Sequence, residues 1–499
     1  MDEFHRLVAA DLGDADLSIA MTEALDATLA AHLDKGPDQE DLAFALWRPS
    51  LGRTRVTAIL QRVVLPQEGE RVLQGNVAFM PEYIERVLQL AEGGIEDGYG
   101  IALLHSHLGP GWQDMSDDDV IAERDRLAGA VVGRTELPLV GLTRGSDGAW
   151  SGRFWIRERR RTYVRRWVST VRVVGQRVRI TYHPALRPPP PVSEAQVATV
   201  SVWGAAAQAD LARVRVGIVG VGSVGSIVAE ALSRMGMTWI ALLDHDQIEE
   251  RNLDRTAGAR REDVTHATSK VRVAKRHIKE THTAADVQIK PFEGTLLSEE
   301  GLARALDCDL LFSCVDRPWP RHLLNAIAYA HLIPVIDGGV FAKVRDGGLL
   351  HADWRIQIAG PTWQCLVCSG ALRSEDIALD RAGKLDDPSY IQGLGSEFDP
   401  LLARQNVFPF SLSVAAHEVL QCVGLVTGQR RVGGAGAQVY HCYPGMMEVY
   451  TGATCQPDCG YVALLASAED LRGNLRPDAV APAQPPDDTC DSSVRVEEQ

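Results

Sequence analysis

The chain has 499 residues, 45% of them hydrophobic, and a formal net charge of -15. That length exceeds what one hydrophobic core organises, so two principal domains are expected. The acidic balance excludes generic nucleic-acid binding, which needs a basic surface to release counterions, and favours a protein or small-molecule partner.

The amino terminus, MDEFHRLVAADLGDADLS, is acidic where a signal peptide would be basic. No apolar stretch approaches the roughly 20 residues of a membrane span, so the expectation is a soluble, cytoplasmic protein with no membrane partner. Residues 17–48 read as strand (DLSIAM), helix (TEALDATLAAHL) and strand (DLAFALW). A helix over 81–91 and the strand IALLHSH follow. Arginine-rich alternating stretches between 153 and 187, such as RVRITYHP, suit exposed or edge strands. PALRPPPPVSEAQ, 184–196, is an extended linker and sets the domain boundary. From Val214 the pattern becomes strand, glycine-rich turn, helix and strand, which predicts a parallel sheet with crossover helices. The expected division is 1–155, a basic strand segment and linker over 156–197, a second domain over 198–470, and a disordered tail over 471–499 whose composition cannot bury a core.

HSHLGPGWQDMSDDD, 105–119, opens at the end of an apolar strand. Side chains alternate along a strand, so His105 and His107 point the same way and can share one cation. Ser116 reads as a helix cap with acidic residues in the following turn, which places Asp119 as a third ligand. Three protein ligands leave a position for water, the arrangement of catalytic zinc, and Glu40 can serve as general base. The set Glu40, His105, His107, Ser116 and Asp119 resembles the signature of the JAB/JAMM (MPN+) metalloproteases over roughly residues 15–155. The likeness implies an α/β metalloprotease domain with catalytic Zn2+, Glu40 relaying the proton and Ser116 stabilising the oxyanion, acting on ubiquitin-like proteins after their terminal glycine. The loop from His107 to Ser116 is one residue longer than usual.

VGIVGVGSVGSIVAEALSRMG carries Gly220, Gly222 and Gly225 in G-x-G-x-x-G spacing after a strand, a backbone anion site. Asp244 ends the next strand, where it can bind a ribose hydroxyl; these residues alone would equally suit NAD. Asp246, Asn252, Arg255, Lys270 and Asp316 follow, and cations with an aspartate suit a triphosphate with magnesium. This series resembles the ThiF/MoeB-type, ubiquitin-activating-enzyme-like adenylyltransferases across about residues 200–465. The resemblance implies a Rossmann-like domain using ATP and Mg2+, with Asp244 on the ribose, Asn252, Arg255 and Lys270 on the phosphates and Asp316 orienting magnesium. It also implies adenylation of the carboxy-terminal glycine of a ubiquitin-like protein, homodimerisation, and a structural Zn2+ held by Cys365, Cys368, Cys455 and Cys459. Four of the nine cysteines thus fall in two close pairs, which favours metal over a disulfide scaffold. Ala198 and Thr199 stand where many relatives carry an arginine reaching into the partner subunit, and residues 369–421 contain no cysteine for a thioester. Cys308, Cys314 and Cys422 read as packing residues, and Cys490 as an exposed thiol in the tail.

The α/β fold class is therefore a metalloprotease-like domain joined to a Rossmann-like adenylating domain with a parallel sheet. The combined expectation is an enzyme that adenylates a glycine-ended ubiquitin-like modifier and processes or removes it, with a ubiquitin-conjugating-enzyme-like protein as a candidate further partner. The rival readings are adenylation of a small molecule or RNA base beside an unrelated peptidase, and a non-catalytic modifier-binding module.

Overall fold

The computed structural model describes residues 12–36, 39–74, 76–93, 98–345, 348–386, 406–429 and 436–476. Most of the segment expected to be a disordered tail, from 477 on and including Cys490, lies outside the described residues. Residues 471–476 belong to the fold: Leu471 is buried, and the Arg476 amide donates to the Leu297 carbonyl at 2.8 Å.

The N-terminal domain runs β1 (Asp16–Thr22), a helix (Glu23–Leu33), β2 (Leu42–Leu51), β3 (Arg55–Val64), β4 (Arg71–Gln74), β5 (Asn76–Phe79), a helix (Pro81–Glu92) and β6 (Gly100–Ser106). A helical run (Asp117–Val120, Ile121–Leu127, Ala128–Thr135) leads to β7 (Leu139–Arg144), β8 (Trp150–Arg159), β9 (Thr162–Trp167), β10 (Thr170–Val174) and β11 (Val178–Tyr182). Nine of these strands form one mixed sheet in the order β11-β10-β1-β3-β2-β6-β7-β8-β9. Alternation along β2 shows why the sheet is covered on both faces: Ala43, Ala45 and Trp47 enter one core, Leu42, Phe44 and Leu46 the other. Thr22 caps the first helix, its Oγ1 accepting from the Leu25 amide at 3.2 Å, and Leu25, Leu29 and Leu33 seat that helix on the sheet.

The arginine-rich stretch supplies the two edge strands, β9 and β11, as expected, but they belong to this domain's own sheet, and β10 is not an edge. β10 pairs in parallel with β1 inside the sheet, and Arg172 on it is fully buried. The arginine is inside because an aspartate of the second domain meets it.

After an irregular stretch to Ser193, the second domain begins with the helix Val197–Arg213. Its strands are β12 (Val216–Val219), β13 (Trp239–Leu243), β14 (Gln288–Phe292), β15 (Leu310–Ser313), β16 (Val335–Arg345), β17 (Gly348–Ala359), β18 (Ala437–His441) and β19 (Met446–Tyr450). They lie in the order β14-β13-β12-β15-β16-β17-β18-β19. The first five are parallel and the last three antiparallel additions. Helices cover both faces, Ser223–Arg234, Lys270–Thr281 and Phe408–Thr427 on one, Glu299–Leu306 and Pro318–Ala330 on the other. Phe408–Thr427 corrects the expectation about apolar stretches, because its 20 residues are long and apolar enough to cross a membrane by length and composition. Here it packs in the core, with Val414, Ala415, Cys422 and Val423 buried.

The two domains share one apolar core, in which Ala20, Ile59, Val174 and Val178 meet Val216, Ile218 and Leu310. Beside it lies a buried charge network. Asp309 Oδ1 accepts from Arg55 Nη1 at 2.6 Å and from Arg172 Nη1 at 2.5 Å, and its Oδ2 accepts from the Arg215 amide at 2.9 Å. Asp307 accepts from the Thr54 amide and hydroxyl, both at 2.9 Å. This junction lies at the amino ends of β12 and β15. It leaves their carboxyl ends clear.

His331 also sits at the junction, fully buried, its Nδ1 2.8 Å from Ser50 Oγ. Burial pushes its pKa down to about 4 from the ordinary 6.5. Below pH 6.5 the unfolded chain therefore binds a proton that the native chain refuses. Stability from this group is fully present above 6.5 and falls as pH drops toward 4, by about 3 kcal/mol in total. Urea midpoints over that range should fall less steeply for His331→Gln than for the wild type.

Candidate functional site

β12 pairs with β13 on one side and β15 on the other, so the winding of the sheet reverses there and opens a crevice beyond the carboxyl ends of the strands. The turn leaving β12 carries the three predicted glycines, which serve two purposes. Gly220 has φ +88°, and a Cβ on it would lie 2.5 Å from the Cys314 carbonyl oxygen after β15. A Cβ on Gly225 would lie 1.9 Å from the Gly220 oxygen. Among the described residues, nothing lies within 4 Å of a Cβ on Gly222. Two glycines thus let backbones pack, while Gly222 faces open space at the start of the helix Ser223–Arg234, where backbone amides favour an anion. Gly225→Ala is expected to destabilise the fold by about 1–3 kcal/mol, an overpacking cost. Gly222→Ala should leave the thermal midpoint near wild type while weakening binding of a phosphate-class anion at the turn, which calorimetric titration with inorganic pyrophosphate would show.

Asp244, buried at the end of β13, accepts from the Val221 amide at 2.7 Å and the Asp246 amide at 2.8 Å, so it ties the glycine turn to the next loop. Burial lifts its carboxyl above the usual range against the opposing charge of Lys270. Lys270 opens the helix Lys270–Thr281; its amide donates to the Asp246 carbonyl at 3.0 Å and its Nζ to Asp246 Oδ2 at 2.7 Å. Burial raises the Asp246 carboxyl, but the Lys270 bond outweighs it and holds the group below its ordinary range. Gly222, Asp244, Asp246 and Lys270 therefore share one end of the sheet. Asn252 and Arg255 lie on the next turn: Asn252 Oδ1 accepts from the Glu249 amide at 2.9 Å, and Arg255 Nη1 donates to the Arg251 carbonyl at 2.6 Å and Asp254 Oδ1 at 2.8 Å. Asp316 stands exposed just past β15.

A cluster at the same edge escaped the sequence reading. Buried Asp337 accepts from Ser313 Oγ at 2.8 Å, from Arg321 at 2.8 and 3.0 Å and from Arg355 at 2.8 Å. Burial opposes its ionisation, but the two guanidiniums win and bring its pKa to about 2. The one available signal was that IPVID, like WIALLD, is an apolar run closed by aspartate, although β16 continues beyond Asp337 to Arg345.

Cys365, Cys368, Cys455 and Cys459 converge with their sulfurs within 4.8 Å of one another. The Cys368 amide points to Cys365 Sγ at 3.2 Å and the Cys365 amide to Cys455 Sγ at 3.1 Å, contacts that favour thiolates. The donor set fits a closed tetrathiolate zinc site, and the longer spacing of the second pair does not prevent closure. Cys308 and Cys422 are buried as expected, while Cys314 is half-buried with its Sγ 3.9 Å from Glu418.

In the N-terminal domain His105 is the last residue but one of β6 and His107 lies just beyond the strand. Their Nε2 atoms are 3.1 Å apart, and Asp119 reaches them with Oδ1 at 3.2 Å and Oδ2 at 3.3 Å. Ser116 caps the helix Asp117–Val120: its Oγ accepts from the Asp119 amide at 3.2 Å, and Asp119 Oδ2 accepts from the Ser116 amide at 2.8 Å. This reciprocal cap aims Asp119, and the longer loop does not prevent it. The Ser116 hydroxyl proton is left free to donate. Leu42 pairs with His105 in the sheet, so Glu40, two residues earlier, falls level with His107, whose protonated form its charge favours. Behind the histidines, Arg153 donates to Thr143 Oγ1 at 2.6 Å, and Thr143 Oγ1 lies 3.3 Å from His105 Nε2. Arg153 is itself paired with buried Glu123. Two imidazoles and a carboxylate this close fit a zinc-class cation.

Residues 194–375 match the ThiF family, and this part of the chain is a ThiF-family domain. Ubiquitin-like modifier-activating enzyme 5 of Drosophila mojavensis is 33% identical over 151 residues, 28% of this chain and 37% of that protein. Molybdopterin-synthase adenylyltransferase of Escherichia coli (strain K12) is 30% identical over 152 residues, 30% of this chain and 58% of that protein. The chain thus spans less than two thirds of the length of either. Among solved structures, E. coli MccB with ATP aligns at 18% identity and a TM-score of 0.39 over 51% of this chain and 68% of that one.

Proposed function

We propose that the chain is a two-site enzyme of ubiquitin-like modifier chemistry, an ATP-dependent adenylyltransferase joined to a JAB/JAMM-type zinc peptidase. The observation that carries the first activity is the open face of Gly222 beside Asp244, Asp246 and Lys270 at the crevice. In this reading the carboxylate of the modifier's terminal glycine attacks the ATP α-phosphorus, the bond to the β,γ-pyrophosphate breaks, and acyl-adenylate and pyrophosphate result. The amides at the glycine turn hold phosphate oxygens, Asp244 accepts from the ribose, and Lys270, Asn252 and Arg255 offset charge that grows on the phosphates. Asp316, with its exposed carboxylate, is the residue suited to Mg2+, which would balance phosphate charge. The molecule is proposed to work as a homodimer, to which exposed Val197 and Val202 on the helix Val197–Arg213 offer apolar contacts.

The second activity rests on the convergence of His105, His107 and Asp119. These three would hold zinc, which supplies Lewis acidity there. Glu40 takes and returns the proton of the attacking water, and the Ser116 hydroxyl donates to the carbonyl oxygen as it gains charge. The two sites do not face each other. His105 is level with Leu42 and the domain junction with Leu51 and Val56, about 30 Å away along β2, while the nucleotide crevice opens beyond the far ends of β12 and β15. A modifier therefore leaves one site before it reaches the other.

The test uses a ubiquitin-like precursor extended beyond its glycine. Wild type should release the glycine-ended form and support ATP:pyrophosphate exchange only with that form. Glu40→Gln should lose cleavage by about 10²-fold or more while keeping exchange with the mature modifier. Cleavage unaffected by Glu40→Gln and by zinc chelation would remove the peptidase reading.

A further inference from the structure

The antiparallel strands added after the parallel sheet carry another cluster of ligating side chains. His351 and Asp353 are two residues apart on β17 and so share a face. His441 on β18 is directly opposite Asp353, and Glu448 on β19 is opposite Val439, two residues from His441, which brings it to the same face. The other face of these strands is apolar: Trp354 and Tyr440 stack at 5.2 Å and join the domain core. Pleating alone thus gathers four polar side chains from three strands on the outer surface.

We propose that His351, Asp353 and His441 form a further metal site, for a divalent ion of the zinc class, with Glu448 as the carboxylate that orients His441. His351 Nε2 lies 2.6 Å from Asp353 Oδ2, His441 Nδ1 lies 3.1 Å from Asp353 Oδ1, and one ligand atom from each residue falls within 4.8 Å of the others. Among the described residues, buried Asp353 Oδ1 makes no well-aligned hydrogen bond and has only the ring nitrogen of His441 beside it, so a cation between the two would satisfy both. The far nitrogen of His441, Nε2, faces Glu448 Oε1 at 3.7 Å, and Glu448 Oε2 accepts from Tyr450 Oη at 2.5 Å. A histidine with one nitrogen toward the ligand set and the other toward an anchored carboxylate is the usual outer support of a metal-bound imidazole. Two imidazoles and one carboxylate suit zinc and its first-row neighbours over calcium or magnesium, which prefer oxygen. Three protein ligands leave room for water or an exchanging ligand. The site is separate in sequence and in place from His105, His107 and Asp119 and from the four cysteines, so it stands whether or not the enzymatic reading does.

The experiment is a Zn2+ titration of the purified full chain, after removal of loosely bound metal, against a colorimetric zinc indicator. Wild type should take up one equivalent more than His351→Gln or Asp353→Asn, and Glu448→Gln should weaken that equivalent by about 10- to 100-fold. His107→Ala should lose a different equivalent, so the double variant with His351→Gln loses two. His351 is well exposed, and an unchanged thermal midpoint in chelator would establish that its variant folds. Equal zinc stoichiometry in folded wild type, His351→Gln and Asp353→Asn would overturn the proposal and leave the cluster an ion-pair network.

Discussion

Replacing Asp309 by alanine is expected to cost the chain about 3–5 kcal/mol, the usual loss when one partner of a buried ion network is removed. Arg55 and Arg172 are both fully buried and both aim Nη1 at the same Asp309 oxygen. Without the carboxylate, two guanidiniums stay inside with no anion between them, and the Arg215 amide loses its acceptor. The loss is large because the arginines come from the first domain and the aspartate from the second. The effect should appear as a fall in the urea midpoint, and the two domains should then unfold in separate steps. Burial raises the Asp309 carboxyl but Arg55 and Arg172 outweigh it, holding it far below the ordinary carboxylate range. Its contribution is therefore fully present above the unfolded-state pKa and is lost only as pH falls well below it. Arg55→Leu combined with Arg172→Leu and Asp309→Leu should recover much of the stability, since exchanging a whole buried network for apolar side chains is often neutral. Single substitutions that left stability within 1 kcal/mol of wild type would contradict this account of the junction.

Lys270→Ala should lower ATP:pyrophosphate exchange by about 10²- to 10³-fold, the cost of removing one group that stabilises charge in a transition state. Lys270 Nζ is tied to Asp246, whose amide is tied in turn to buried Asp244, so the lysine is aimed before ATP arrives. A preset cation acts on the chemical step, and kcat should fall by more than KM rises. Lys270→Arg should keep part of the rate. A thermal midpoint close to wild type for both variants would separate this role from a structural one.

The site residues that the sequence shows plainly are those placed by local periodicity. H-x-H at a strand end must align two imidazoles, and a serine three residues before an aspartate caps a helix that aims it; Ser116 and Asp119 do so. The glycine turn and Asp244 follow from successive strand ends. The domain junction was illegible for the converse reason. Arg172 reads as part of a solvated, arginine-rich stretch until Asp309, 137 residues beyond it, supplies the buried partner. Asp353 and His441 meet only through strand pairing across a long insertion, and nothing in their local spacing announces it. The level of Glu40 with His107 likewise depends on register between β2 and β6. Local chemistry shows in the sequence, and pairing between distant strands does not.

In the proposed function this chain adenylates the glycine terminus of a ubiquitin-like protein. The most direct measurement is ATP:pyrophosphate exchange by the purified full chain with a set of ubiquitin-like proteins, each tested with and without its terminal glycine and against Asp316→Ala. The account predicts exchange that needs the terminal glycine and is lost in the variant. Exchange that runs equally well without any protein substrate, or with the glycine removed, would contradict it.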